Sequence, residues 1–156
     1  MVMRIFIGAD HRGFKLKQAL KGWLSDFGHD VVDCGAEEHV EGDDYTDYAT
    51  KVASQVVRNS GVQELQTFGV VICGSGVGVD VVANKFAGIR CGLGLNAEQV
   101  RVAREDDDIN VLALAADYVS KDKAEEMVKV FLESEFSGEE RHVRRLEKIS
   151  ELESNK

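Results

Sequence analysis

Two hydrophobic periods alternate along this chain, and that alternation constrains its fold more than any other feature. Arg4-Ile5-Phe6-Ile7-Gly8-Ala9 is a short apolar run stopped by Asp10-His11, the pattern of a strand. Phe14, Leu16, Leu20, Trp23, Leu24 and Phe27 then recur at helical spacing until Gly28 ends the segment. A second strand is expected over 30–34, an acidic loop over 37–44, a second helix over 45–58 and a polar connection over 59–66. Phe68-Gly69-Val70-Val71-Ile72-Cys73 is the strongest strand, and its continuous β-branched residues imply burial on both faces. Glycine-rich Gly74-Ser75-Gly76-Val77-Gly78 follows at once, then a helix to about residue 85. Further elements are expected as strand 89–95, helix 97–105, strand 110–115, helix 121–132 and a separate C-terminal helix over 141–152. This order implies one α/β domain over 1–156, with a parallel sheet and helices on both faces. In such sheets ligands sit beyond the carboxyl ends of the strands, which directs attention to Asp10-His11 and to Cys73 through Gly78.

Composition narrows the function. Of 156 residues, 44% are hydrophobic and 30% charged, enough to build a core. The net charge of −9 argues against general nucleic-acid binding, which needs a basic face. No apolar run approaches the roughly 18 residues of a membrane span, and the residues before Arg4 carry no signal-peptide core. Three cysteines without C-x-x-C spacing support neither a disulfide framework nor a zinc site, so a reducing cytoplasm is the expected compartment. There is no proline, so glycines must make the turns.

The segment from Cys73 to Gly78 carries the most chemical information. Alternate glycines let backbone N–H groups converge, and the following helix adds its positive end. The result is a nest for an anion or a developing oxyanion. It is neither the dinucleotide G-x-G-x-x-G, since position 79 is Val79, nor a phosphate loop ending in Gly-Lys-Ser/Thr. Cys73 stands where the helix field favours a thiolate base or nucleophile. A tight strand–helix turn with a buried structural cysteine fits the same residues. Asp10-His11, an acid beside an imidazole, can orient hydroxyls and move protons, or serve as a helix cap beside a surface histidine. Arg141-His142-Val143-Arg144-Arg145 is a basic island in an acidic chain. Arg141 and Arg145 share a helix face and suit a phosphate, although pairing with Glu139, Glu140 and Glu147 would also explain them. Asp106-Asp107-Asp108 is expected to be a polar loop opening the last strand, because three consecutive carboxylates do not face one point. His29 and His39 have no partner pattern.

Taken in order, these segments resemble the ribose-5-phosphate isomerase B family, which also includes the galactose-6-phosphate isomerase subunits. The resemblance is carried by Gly8-Ala9-Asp10-His11-x-Gly13-Phe14-x-Leu16-Lys17, Asp44-Tyr45-x-x-Tyr48-Ala49 and Ile72-Cys73-Gly74-Ser75-Gly76-Val77-Gly78. It continues through Ala83-Asn84-Lys85-Phe86-Ala87-Gly88-Ile89-Arg90, Asn110-Val111-Leu112 and Arg141-His142-x-x-Arg145, so it spans nearly the whole chain. It implies a Rossmann-like three-layer α/β/α fold with a five-stranded parallel sheet and an extra C-terminal helix. It also implies a cytoplasmic homodimer, in some members a tetramer, with no metal, no organic cofactor and no membrane or nucleic-acid partner. The implied reaction interconverts ribose 5-phosphate and ribulose 5-phosphate through an enediolate.

By that likeness Cys73 is the base, Ser75 assists proton transfer, and the amides of Gly74, Gly76, Val77 and Gly78 hold the enediolate oxygen. Asp10 and His11 bind the sugar, while Arg141 and Arg145, helped by His142, hold the phosphate in a site shared between subunits. Relatives with a glutamate after the glycine loop differ, since Val79 stands there. The family's Arg-x-His-Asn becomes Arg104-Glu105-Asp106-Asp107, which puts Asp106 in the place of a ring-opening histidine and Asp107 in that of a substrate-binding asparagine. Asp117 replaces an arginine common after the last strand. These acidic replacements keep two alternatives open: an isomerase of a six-carbon sugar phosphate, of the galactose or allose 6-phosphate type, and a non-catalytic sugar-phosphate-binding subunit.

Overall fold

Strand β1 (Arg4–Ala9) buries alternate side chains on opposite sides. Ile5 and Ile7 join one apolar cluster and Phe6 joins the other. The same period of two recurs in β3 (Thr67–Cys73), where Val70 and Ile72 face one cluster and Val71 and Cys73 the other. In β5 (Val111–Ala115), Leu112 and Leu114 are set against Val111 and Ala113 in the same way. Burial on both faces is why these runs read as continuously apolar. The structure, a computed structural model, describes residues 1–61 and 64–155. Val62 and Gln63, part of the polar connection expected over 59–66, lie outside the described residues, as does Lys156.

The remaining strands are β2 (Asp30–Asp33) and β4 (Cys91–Leu93), and the five form one all-parallel sheet in the order β2-β1-β3-β5-β4. Helices α1 (Phe14–Asp26), α4 (Ala97–Asp107) and α5 (Lys121–Glu133) cover one face through Leu20, Leu24, Val100, Met127 and Phe131. Helices α2 (Tyr45–Asn59) and α3 (Val77–Ala83) cover the other through Ala49, Val52, Val56, Val79 and Ala83. Each fully buried Leu, Ile, Val or Phe among them contributes about 1.5–3 kcal/mol to the fold. Helix α6 (Glu140–Ser154) packs against α4. The three-layer α/β/α architecture with an added C-terminal helix is the expected one.

This topology opens a crevice. The chain leaving β1 enters α1 on one face, whereas the chain leaving the adjacent β3 enters α3 on the other. The two segments diverge at the carboxyl ends of neighbouring strands, where α/β sheets bind ligands.

Two boundaries differ from expectation. The strand expected over 89–95 is confined to Cys91–Leu93. The aspartates expected as a loop belong largely to a helix: Asp106 and Asp107 complete the last turn of α4, and only Asp108 leaves it, at φ 45°. Asp108 is held in that left-handed conformation by charge, because its carboxylate accepts from Arg90 at 2.8 Å and from the buried Arg104 at 2.7 Å.

One buried ion pair fixes the loop that approaches the crevice. The Lys17 side chain is fully buried, and its ammonium donates to Asp33 at 2.8 and 3.0 Å and to the Ala36 carbonyl at 2.7 Å. Burial pushes the Asp33 carboxyl up, but hydrogen bonds from Lys17, Lys21 and the Gly35 N–H outweigh it and hold it below its ordinary value. A depressed carboxyl pKa supplies stability that is present above the unfolded value of about 4 and is lost as pH falls through the folded value. Lys17→Met is expected to cost about 3 kcal/mol, the low end for breaking a buried pair. The low end applies because Asp33 keeps Lys21 at 2.9 Å. Urea denaturation at pH 7 and at about pH 3.5 checks this. The variant should lose less stability on acidification than the wild type.

Candidate active site

The carboxyl end of β3 runs directly into the glycine segment, and Gly76 adopts φ 72° to turn the chain into α3. Only glycine occupies that region without steric cost. The Ser75 hydroxyl accepts from the Val77 N–H at 3.3 Å. The N–H groups of Gly74, Ser75 and Gly76 have no acceptor among the described residues. Three unpaired donors in consecutive residues are what an anion-binding nest requires.

Gly74 and Ser75 belong to a hollow of about 410 Å3 lined also by Asp10, Arg12, Tyr45, Cys73, Val77, Gly78 and Val81. Cys73, the last residue of β3, is 5% exposed and reaches this hollow from the sheet. All three cysteines are free thiols. Burial, reinforced by Asp33, pushes the Cys34 thiol up to about 11. Burial and Asp80 push Cys91 up further still. Neither lines the hollow, and Cys73 alone of the three does.

Asp10 is buried, and its Oδ1 accepts from the Arg12 N–H at 3.0 Å and the Gly13 N–H at 3.1 Å. These bonds fix the turn between β1 and α1 and leave Oδ2 available to a ligand. His11 is positioned by Asp43, whose Oδ1 accepts from the His11 backbone N–H at 2.7 Å and lies 3.1 Å from Nδ1. Burial raises the Asp43 carboxyl, but the His11 backbone and ring hydrogen bonds outweigh it and leave it below its ordinary value. A carboxylate at Nδ1 favours the tautomer whose Nε2 accepts a proton.

Asp10, Cys73, Gly74, Ser75, Val77 and Gly78 therefore meet at one place, as expected, with Gly76 between them in the turn and His11 beside it. The expected residues from the end of the chain do not join them within the protomer. Asp106 ends on α4, with Oδ1 3.6 Å from His142 Nε2. Asp107 lines a separate groove with Asn84, Ile149 and Leu152. Arg141 is exposed and pairs with Glu139 at 2.8 Å, and Arg145 is exposed on the same helix. Within the protomer, His142 is packed rather than open to the hollow. It is 2% exposed, its Nδ1 lies 2.6 Å from the Ser137 hydroxyl, and its other nitrogen faces Asp106. The physical reason is placement: α6 lies on α4 beside the β4 edge, whereas the hollow opens at the β1–β3 divergence.

The sequence assigns no role to Tyr45, Asp43 or Arg12, and it does not show what Asp117 meets. Tyr45 reads as a helix start and as part of the Asp44-Tyr45 match, without a role in the site, yet it walls the hollow beside Gly78. Asp43 was one carboxylate in an acidic loop. Arg12 and Asp117 form an ion pair 105 residues apart in sequence, which no local pattern announces.

The model of the ribose/galactose isomerase family matches residues 5–149. The chain belongs to that family. It is 38% identical over 149 residues to a probable ribose-5-phosphate isomerase B of Mycoplasma genitalium, covering 96% of this chain and 95% of the relative. It is 32% identical over 151 residues to ribose-5-phosphate isomerase B of Mycobacterium tuberculosis, covering 97% and 90%. The fold of this family member superposes with a TM-score of 0.93 on ribose-5-phosphate isomerase B from Mycoplasma genitalium with bound ribulose-5-phosphate. That pair is 36% identical, covering 100% of this chain and 99% of the other. For the Clostridium thermocellum ribose-5-phosphate isomerase B the TM-score is 0.90 at 38% identity, covering 98% and 99%. No helix of this isomerase-family chain, among the described residues, is long and apolar enough to cross a membrane.

Proposed function

We propose that this chain interconverts ribose 5-phosphate and ribulose 5-phosphate through an enediolate. The observation that carries this reading is the meeting of a thiol with the unpaired Gly74 and Ser75 amides in one hollow, with the Gly76 amide next to them in the turn. Proton abstraction next to a carbonyl needs a base beside the carbon acid and donors at the oxygen that becomes negative. Cys73 as thiolate takes the C2 proton of the open-chain aldose, and the Gly74–Gly76 amides receive the charge that develops on O1. Ser75 relays the hydroxyl proton between O2 and O1, and Cys73 returns its proton to C1 to give the ketose. Asp10 and His11 hold the sugar hydroxyls. The bound ribulose-5-phosphate of the Mycoplasma genitalium relative supports this substrate class.

The phosphate and ring-opening groups come, in this reading, from a second copy of the chain. Arg141 and Arg145 stand exposed on α6 and do not line their own protomer's hollow, and neither do Asp106 and Asp107. A homodimer in which that edge faces the neighbour's hollow completes the site with Arg141 and Arg145 of the partner subunit. Isomerisation in deuterated water followed by NMR tests the chemistry. Deuterium should appear at C1 of ribulose 5-phosphate, with k_cat/KM highest for ribose 5-phosphate in a panel that includes galactose and allose 6-phosphates. Turnover without solvent deuterium in the sugar would exclude the exchangeable enediolate route.

A further inference from the structure

Arg12 is the only lysine or arginine that lines the hollow among the described residues. Its guanidinium Nη2 donates to Asp117 Oδ2, a carboxylate just beyond β5. The pair therefore bridges the ends of β1 and β5 across the carboxyl end of β3, which lies between them. It rests on Gly74: a Cβ there would fall 2.7 Å from Asp117 Oδ2 and would strike the guanidinium, so a side chain at 74 cannot coexist with this arrangement. The backbone beneath is fixed at both ends. The Arg12 N–H donates to Asp10 at 3.0 Å, and the Asp117 N–H donates to the Gly74 carbonyl at 3.0 Å.

The side chains themselves remain 56% and 36% exposed, and an exposed pair of this kind adds little to stability. The guanidinium spends one nitrogen on Asp117, while Nε and Nη1 have no acceptor among the described residues. A guanidinium with an open edge at the rim of a hollow suits the paired oxygens of a phosphate.

We propose that Arg12 is the cation through which the protomer itself grips the substrate's phosphate, with Asp117 as the counter-ion that holds it in place. This rests on the sugar-phosphate reading above and adds a residue to it. Asp117 orients the guanidinium between turnovers, and its like charge keeps phosphate binding from becoming too tight. The two side chains therefore act on phosphate in opposite directions.

The test titrates inorganic phosphate by calorimetry and measures ribose 5-phosphate kinetics on the same proteins. Arg12→Met should weaken phosphate binding about 10- to 100-fold and raise KM by a similar factor, with the loss in KM rather than k_cat. Arg12→Lys should recover part of it. Asp117→Asn, which keeps an oxygen acceptor without the charge, should tighten phosphate about threefold. Unchanged phosphate affinity and KM in Arg12→Met would overturn the proposal. So would shifts of the same sign in Arg12→Met and Asp117→Asn, the mark of a merely structural pair. The phosphate titration does not depend on turnover. A protein that binds phosphate through Arg12 but does not isomerise ribose 5-phosphate would keep this assignment and refute the isomerase reading.

Discussion

Replacing Cys73 by alanine is expected to reduce k_cat for ribose 5-phosphate by about 10³- to 10⁴-fold, the contribution of a positioned general base. The fold should survive. Cys73 packs among Val71, Val79 and Ala113, and losing one sulfur there costs about 1 kcal/mol, a shift of a few degrees in Tm. The substitution leaves the Gly74, Ser75 and Gly76 amides in place, so the protein should still bind ribose 5-phosphate and be stabilised by it. This combination separates a base from a structural cysteine, whose loss would lower stability and activity together. Cys34→Ala is the internal control, because its thiol is pushed up to about 11 and lies outside the hollow. It should keep k_cat within about threefold, since it removes no group from the reacting centre. If Cys73→Ala retained a tenth of wild-type k_cat, the proposed mechanism would be wrong.

The parts of this site that could be read from sequence are those encoded within a few residues. Val70 through Cys73 announce a strand buried on both faces because their side chains are apolar on both periods of the pleat. The glycines after Cys73 announce a turn because no other residue tolerates φ 72° at position 76. Asp10 is legible as a strand-end acid because the alternation of elements already placed the end of β1 at the ligand edge of the sheet. The rest is set by tertiary contacts. Asp106 looks like loop because three successive aspartates are poor helix formers. The last turn of α4 nevertheless forms, since Asp108 caps it and binds both Arg104 of that helix and Arg90 from just before β4. His142 looks like a ligand beside two arginines, but the α6–α4 contact buries it against Ser137 and Asp106. Arg12 is ordinary in a sequence and becomes informative only when β1 and β5 bring it to Asp117 over Gly74. Local patterns thus disclosed the thiol and the amides that follow it, whereas the charged rim had to be seen folded.

The second large effect concerns the distance between Arg141 and its own hollow. Arg141→Ala with Arg145→Ala should leave the protomer stable, because both side chains are exposed on α6. Removing the two proposed phosphate contacts should lower kcat/KM about 10³-fold, taking about 2 kcal/mol for each charge-assisted bond. A protein that kept both contacts within one protomer would show the same loss, so the informative measurement is complementation. In the proposed homodimer, Cys73→Ala would take the base from both sites, and the double arginine variant would take the phosphate grip from both. In a mixed dimer, one site combines both defects. The other combines an intact Cys73 from one chain with intact Arg141 and Arg145 from the other. Equal mixing after dissociation and reassociation makes about half the dimers mixed, so activity should recover to roughly a quarter of wild type. Sites contained within single protomers would recover nothing, because each chain would carry its own lesion. The position of α6 on α4, beside the β4 edge and outside the wall of the hollow, is what makes recovery the expected result.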